Sequence, residues 1–238
     1  MAATTQHVVH PDEVDPQHEH GTDVRVTFDA RNGCERLEQR ILGVSSGTRA
    51  ERPPDPRQEV LYVVSGRGEL DLEGTRHELA AGTGVFVAPG ETYTIAAEHE
   101  LELVSVLAPE DRETAGSARK VTVRFDDQPE LEASSERTFR YLVNEDAGCF
   151  DVTQFVGIVQ PSKAPFHSHP YDEVGYIIEG EGVAHIDGRE TPLRGGSCFH
   201  LAPEQVHCIE NSGSAPMRIL GVFHPSGSPA SRTYQDNK

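Results

Sequence analysis

Along most of the chain, apolar positions recur at every second residue. In "GELDLEGTRHELAAGTGVFVAPG", Leu70 and Leu72 alternate with charged neighbours and stop at Glu73-Gly74, a hairpin-turn pair. Ala184 and Ile186 repeat the pattern and stop at Asp187-Gly188. Gly, Pro, Asp and Asn separate such runs at intervals of about ten residues, the spacing of an all-β sandwich or barrel. Neither region holds a long run of period 3.6.

The two regions superpose without gaps at a constant shift of 114 residues, "EVLYVVSGRGELDLEGTRHELAAGTGVFVAPGETY" from Glu59 falling on "EVGYIIEGEGVAHIDGRETPLRGGSCFHLAPEQVH" from Glu173. Gly66, Gly68, Gly74, Gly82 and Pro89 land on Gly180, Gly182, Gly188, Gly196 and Pro203. Matched glycines mark backbone positions that need positive φ or have no room for Cβ. An internal duplication follows, and with it two β domains of one fold. The expected organisation is a flexible segment over 1–22, an N-terminal domain over 23–110, a connection over 111–140 with one extra strand at 121–125, a C-terminal domain over 141–225, and a flexible tail over 226–238.

Charge narrows the function classes. The 238 residues carry 39 acids against 21 bases, a formal charge of −18, which opposes binding to nucleic acid and a polybasic membrane contact. No apolar run approaches the ~20 residues needed to span a bilayer. The N-terminus "MAATTQHVVHPDEVD" lacks the basic and apolar regions of a secretory signal, so the expected location is cytoplasmic. Cys34, Cys149, Cys198 and Cys208 form no CxxC pair and are expected as buried thiols in a reducing compartment.

The chemistry concentrates in "PFHSHPYDEVGYIIEGEG", Pro165 to Gly182. His167 and His169 stand two apart, which on an extended strand places both on one face. Glu173 opens the apolar strand 174–178, and His207 follows downstream beyond Ala202-Pro203-Glu204. Brought together in a barrel, three imidazoles and one carboxylate suit one divalent first-row ion: Fe(II), Mn(II), Ni(II), Cu(II) or Zn(II). The first copy has lost this set. Pro53, Asp55 and Tyr93 stand where the histidines should be, and only Glu59 remains. One metal per chain is expected, in the C-terminal copy. Among the other histidines, His185 is expected to be exposed and His200 to be a plain strand residue, while His7, His10, His18 and His20 are expected to face solvent. Tyr176 and Cys208 are expected to pack.

These residues resemble the cupin family. Its first motif appears as His167, His169, Glu173 and Gly180, its second as Gly196, Pro203, His207 and Asn211. Two turn positions depart from the pattern: Pro161 and Glu204 stand where the family usually has glycine. The resemblance spans residues 36–108 and 150–222 and implies two tandem jelly-roll β-barrels, a bicupin. It also implies a homodimer and a small-molecule substrate. For the ligand set it implies dioxygenase or other oxidoreductase chemistry on a phenol, enol, diketone or keto acid, with Glu173 also able to act as a base. The alternatives are a non-redox isomerase, lyase or decarboxylase, and a non-enzymatic small-molecule binder.

Overall fold

The structure is a computed structural model that describes residues 6–112 and 119–234. The outermost parts of the expected N-terminal segment and tail, and 113–118 of the expected connection, lie outside the described residues. Two seven-stranded antiparallel sheets stand back to back, and each is closed on its other side by a smaller sheet. In the N-terminal half the large sheet runs, edge to edge, Thr122–Arg124, Thr83–Val87, Gln58–Ser65, Leu101–Ala108, Glu38–Val44, Thr22–Phe28 and Gln17–Glu19. In the C-terminal half the order is Val8–Val9, Cys198–Leu201, Asp172–Glu179, Met217–His224, Thr153–Val159, Arg137–Val143 and Leu131–Ser134. The result is two jelly rolls of matching topology. No helix among the described residues is long and apolar enough to cross a membrane.

The duplication reaches further than the sequence reading took it. Val8–Val9 and Thr122–Arg124 correspond under the same shift, and each adds to the sheet of the other repeat: Val8 pairs with Phe199, and Val123 with Gly84. The expected connection therefore supplies three strands. Thr122–Arg124 matches the extra strand anticipated there, while Leu131–Ser134 and Arg137–Val143 are outer strands of the C-terminal sheet. The two ends of the chain are also paired. Thr233–Tyr234, in the expected tail, lies on His167–Ser168, and His200 donates its backbone N–H to His7 at 3.0 Å. Polar composition suggested looseness there; backbone pairing to an open strand edge needs no apolar side chain.

A buried apolar layer drawn from both repeats lies between the large sheets, including Phe28, Val60, Tyr62 and Phe86 on one side and Val156, Val174, Tyr176 and Val222 on the other. Polar bonds cross it in a twofold pattern. Gln39 donates from Nε2 to the Gly175 carbonyl and its counterpart Gln154 to that of Leu61, each at 3.2 Å. Tyr176 packs in this layer as expected and donates its hydroxyl to Glu102 at 2.9 Å. All four cysteines are free and buried.

The two interiors differ. In the N-terminal jelly roll Leu42, Leu61, Leu70, Leu79, Ile95 and Leu103 are fully buried and fill the space. The C-terminal counterpart of Leu42 is Gly157, whose missing Cβ would meet nothing closer than 3.7 Å, and the counterpart of Ser105 is Gly221. The C-terminal barrel has an apolar core of its own, including Ile177, Phe199 and Ile219, but leaves a pocket beside it. Truncating Gln39 to Ala removes the bond to the Gly175 carbonyl across the layer and the side-chain acceptor of the Thr27 hydroxyl, which keeps the Gln39 backbone carbonyl. Denaturant unfolding should show a loss of about 1–3 kcal/mol, and a midpoint equal to wild type would mean that the cross-layer bond contributes nothing.

Candidate metal centre

The four residues singled out in the sequence line one pocket in the C-terminal jelly roll. His167 and His207 face each other in register on neighbouring strands, with ring centroids 4.4 Å apart, and His169 lies 4.9 Å from His207. Glu173 enters from the large sheet, its Oε2 at 2.8 Å from His169 Nε2. All four are under one-tenth exposed. The turn at Glu204 keeps the geometry that glycine would supply: its φ is +60°, against +79° at Gly90, its counterpart. From that turn the Glu204 N–H reaches the His169 carbonyl at 2.8 Å, as Gly90 reaches Asp55.

The local bonds orient each ring for a ligand. The Nδ1 of His167, His169 and His207 donates to the carbonyls of Pro165, Tyr171 and Gln205 at 2.9–3.0 Å. A proton fixed on Nδ1 leaves a lone pair on Nε2, the arrangement of metal-bound histidine. His169 Nε2 is buried without a partner in hydrogen-bond geometry among the described residues. Burial lowers the pKa of His167 to about 4, and burial with the like charge of His167 lowers His207 to about 3, so both rings are neutral at physiological pH. Burial also opposes charge on His169, but Glu173 outweighs it and raises its pKa. Three imidazoles and a carboxylate so held fit a divalent transition ion. Their donor atoms are nonetheless not all drawn together: among the described residues, the group of three with all donors within 4.8 Å of one another is Cys34, Asp172 and His200, elsewhere in the fold.

Comparison with known proteins now places the fold. The cupin domain family matches residues 41–107 and 155–223, more than half of the chain. This chain belongs to the cupin family. Solved structures of Bacillus subtilis oxalate decarboxylase superpose with a TM-score of 0.81 at 15% identity, covering 98% of this chain and 80% of that one. One such structure concerns the Mn(II) centres of that enzyme. Among curated proteins, an oxalate-binding protein of Thermotoga maritima is 34% identical over 63 residues, 26% of this chain and 52% of the relative. The tetracenomycin polyketide synthase protein TcmJ of Streptomyces glaucescens is 35% identical over 60 residues, 25% of this chain and 40% of the relative. The chain spans about half the length of the first curated relatives it matches.

Two pocket residues escaped the sequence reading. Arg137 and Arg232 line the C-terminal cupin pocket beside the histidines, each donating to a backbone carbonyl, Ile209 and Pro229 respectively. Burial and the like charge of Arg232 lower the Arg137 pKa to about 10, still leaving it charged. One lies in the expected connection and the other in the expected tail, and no local motif marks either. Other histidines differ from expectation. His185 is buried, not exposed, because Glu210 at 2.7 Å and Glu190 at 3.2 Å receive its ring outside the barrel. His200 is more than a plain strand residue and bonds Asp172 at 2.6 Å. His7 and His10 are half-buried, His7 against Asp187 and His10 against the Gly195 carbonyl.

The N-terminal cupin keeps Glu59 and supplies its own cation. Glu59 accepts from the Tyr93 hydroxyl at 2.8 Å and from Ser105, the counterpart of Gly221. Arg52, 7% exposed, stands opposite Tyr93 in register. Burial opposes its charge, but Tyr93 and Glu59 outweigh burial and raise its pKa. Removing this guanidinium, as in Arg52→Met, strands a buried carboxylate and should cost about 3–5 kcal/mol. Unchanged stability would show that Glu59 needs no countercharge.

The lowered pKa values of His167 and His207 have a definite sign. Their stabilising contribution is present above the unfolded pKa of about 6.5 and is lost as pH falls towards their folded values. His169, whose pKa is raised, acts oppositely: its contribution is present below that unfolded pKa and is lost as pH rises through the folded one. Calorimetry of metal-stripped protein should show Tm falling below that pH, with a shallower fall in the double variant His167→Gln/His207→Gln. An equal fall in both would assign the acid sensitivity to other groups.

Proposed function

We propose that the C-terminal cupin is a metal-dependent catalytic site for a small organic acid, with the acid's carboxylate held by Arg137 and Arg232. The observation that supports this reading most is the pair of guanidiniums, each bonded to a backbone carbonyl, beside three histidines and one glutamate in one pocket. Arginine matches a carboxylate in charge and in planar, forked geometry. The names of an oxalate-binding relative and of oxalate decarboxylase among the structural neighbours agree with a substrate of this class.

His167, His169, Glu173 and His207 would hold the ion, which when bound supplies Lewis acidity and, if redox-active, an electron path to dioxygen. The chain's own side chains do the rest. The Nδ1 bonds lock the three rings in place. Phe155, Phe223 and Tyr171 form an apolar wall that limits water. Glu173 sets Oε2 at 2.8 Å from His169 Nε2, while its Oε1 lies against Gly221, whose missing Cβ makes way for the Phe155 ring. The carboxylate faces the pocket, and we assign it the role of proton acceptor.

Dioxygen-dependent cleavage of a keto acid, enol or diketone is the reaction we favour from the ligand set. Decarboxylation without oxygen consumption is the second reading, favoured by the arginine pair. Oxygen uptake and CO2 release, measured together on oxalate, 2-keto acids, diketones and phenols, separate the two. We expect turnover of an acid, loss of one metal equivalent in His207→Ala, and unchanged metal content in Tyr93→Phe. Arg137→Gln should raise KM for the acid about 10- to 100-fold, the equivalent of ~1.5–3 kcal/mol for a charged hydrogen bond. A neutral phenol turned over better than every acid would overturn the carboxylate reading. Full activity in metal-stripped protein would overturn the metal reading.

A further inference from the structure

The strand Asp172–Glu179 has two faces. Glu173 points into the C-terminal pocket, while Asp172 points the other way, to the side where the two cupins meet. There Asp172 Oδ1 lies 2.6 Å from His200 Nε2. Cys34, placed by the turn that ends at Gly33 in the N-terminal cupin, completes a group whose three donor atoms all lie within 4.8 Å of one another. Cys34, Asp172 and His200 are 1%, 4% and 2% exposed, so none is a surface ligand by chance.

A second observation concerns the same place. His224 stands directly across the strand pair from Asp172, hence on the same face of the sheet, and is 2% exposed. Neither of its ring nitrogens has a hydrogen-bond partner among the described residues; its Nε2 lies 3.5 Å from Asp111 without hydrogen-bond geometry. His200 Nδ1 is unpartnered as well. Buried polar atoms are nearly always satisfied, and three orphaned imidazole nitrogens on one patch of sheet call for a ligand.

We propose that Cys34, Asp172 and His200 hold a second divalent ion of the zinc class, and that this ion clamps the two cupins together. One thiolate and one carboxylate would cancel the charge of the ion, and one sulfur, one nitrogen and one oxygen donor suit tetrahedral zinc with its fourth position open. Burial and the adjacent Asp172 raise the Cys34 pKa well above its ordinary value, so the side chain is a neutral thiol before loading. Binding replaces the S–H bond by a sulfur–metal bond and releases that proton to solvent. Because the ligands come from both cupins, loading should raise the unfolding temperature of the whole chain rather than of one half.

Cobalt(II) titration of the metal-stripped, full-length protein tests the site, since cobalt bound to thiolate gives a near-ultraviolet charge-transfer band and cobalt bound to the sulfur-free barrel set does not. The expected result is two equivalents per chain, one of them with the band. The band should vanish in Cys34→Ser and in His200→Gln, each losing one equivalent, and persist in Cys198→Ser and in His207→Ala. No band in the wild-type protein would overturn the proposal, as would a band that survives both Cys34→Ser and His200→Gln. Failure of the barrel site alone would read differently: one equivalent, with the band intact.

Discussion

The packing of one seven-stranded sheet against the other governs the rest of the molecule. In a β-strand successive side chains point to opposite faces, so every strand in that layer commits half of its residues to the partner domain and half to its own barrel. Along Asp172–Glu179 this sends Asp172, Val174 and Tyr176 to the interface and Glu173, Gly175 and Ile177 inward. A slip of one residue would exchange the two sets and put the Glu173 carboxylate in the apolar layer. Several features pin the register: the apolar layer itself, the paired glutamine bonds from Gln39 and Gln154, and the leading strand that each repeat lays on the edge of the other's sheet.

The two barrels show two solutions to one electrostatic problem. Both retain an inward carboxylate, Glu59 or Glu173, and a buried carboxylate requires a countercharge or strong hydrogen bonds. The N-terminal cupin answers from its own chain, with Arg52, the Tyr93 hydroxyl and Ser105 around Glu59 and leucines filling the space beyond. The C-terminal cupin leaves Glu173 among histidines anchored through Nδ1 and replaces Leu42 and Ser105 by Gly157 and Gly221. Side-chain volume and site polarity thus change together. Filling a barrel and losing its histidines go together here, because the pocket beside Gly157 takes the place that Leu42 fills in the other repeat.

Much of this was legible in the sequence, for a physical reason. Turn glycines and alternating apolar residues are local signals, so the duplication, the β class and the convergence of His167, His169, Glu173 and His207 on one pocket could be read from spacing. What escaped was non-local. Strands as short as Val8–Val9 and Leu131–Ser134 have no pattern long enough to register, and the partner of Val8–Val9 lies far away in the chain. Arg137 and Arg232 reach the pocket from segments read as connection and tail. His185 sits opposite Cys208 on the outer face of its sheet, as its alternation implied, yet Glu190 and Glu210 cover it. Cys34 was correctly read as buried, but its neighbours Asp172 and His200 belong to the other repeat and could not be inferred from it.

The two faces of Asp172–Glu179 also tie the site to the interface. Asp172 is fixed by His200, and the backbone N–H of His200 is in turn bonded to the His7 carbonyl from the swapped N-terminal segment. Glu173 is the next residue along the same backbone, so its entry into the pocket is set by bonds made on the opposite side of the sheet. The second strand beside it, Met217–His224, places Gly221 against the Glu173 carboxylate and His224 against Asp172. A pair of strands that carries a pocket carboxylate on one face and a buried polar group on the other cannot adjust one without moving the other. The N-terminal cupin therefore acts on the C-terminal site without contributing a side chain to it: it supplies the surface against which the strand bearing Glu173 is held.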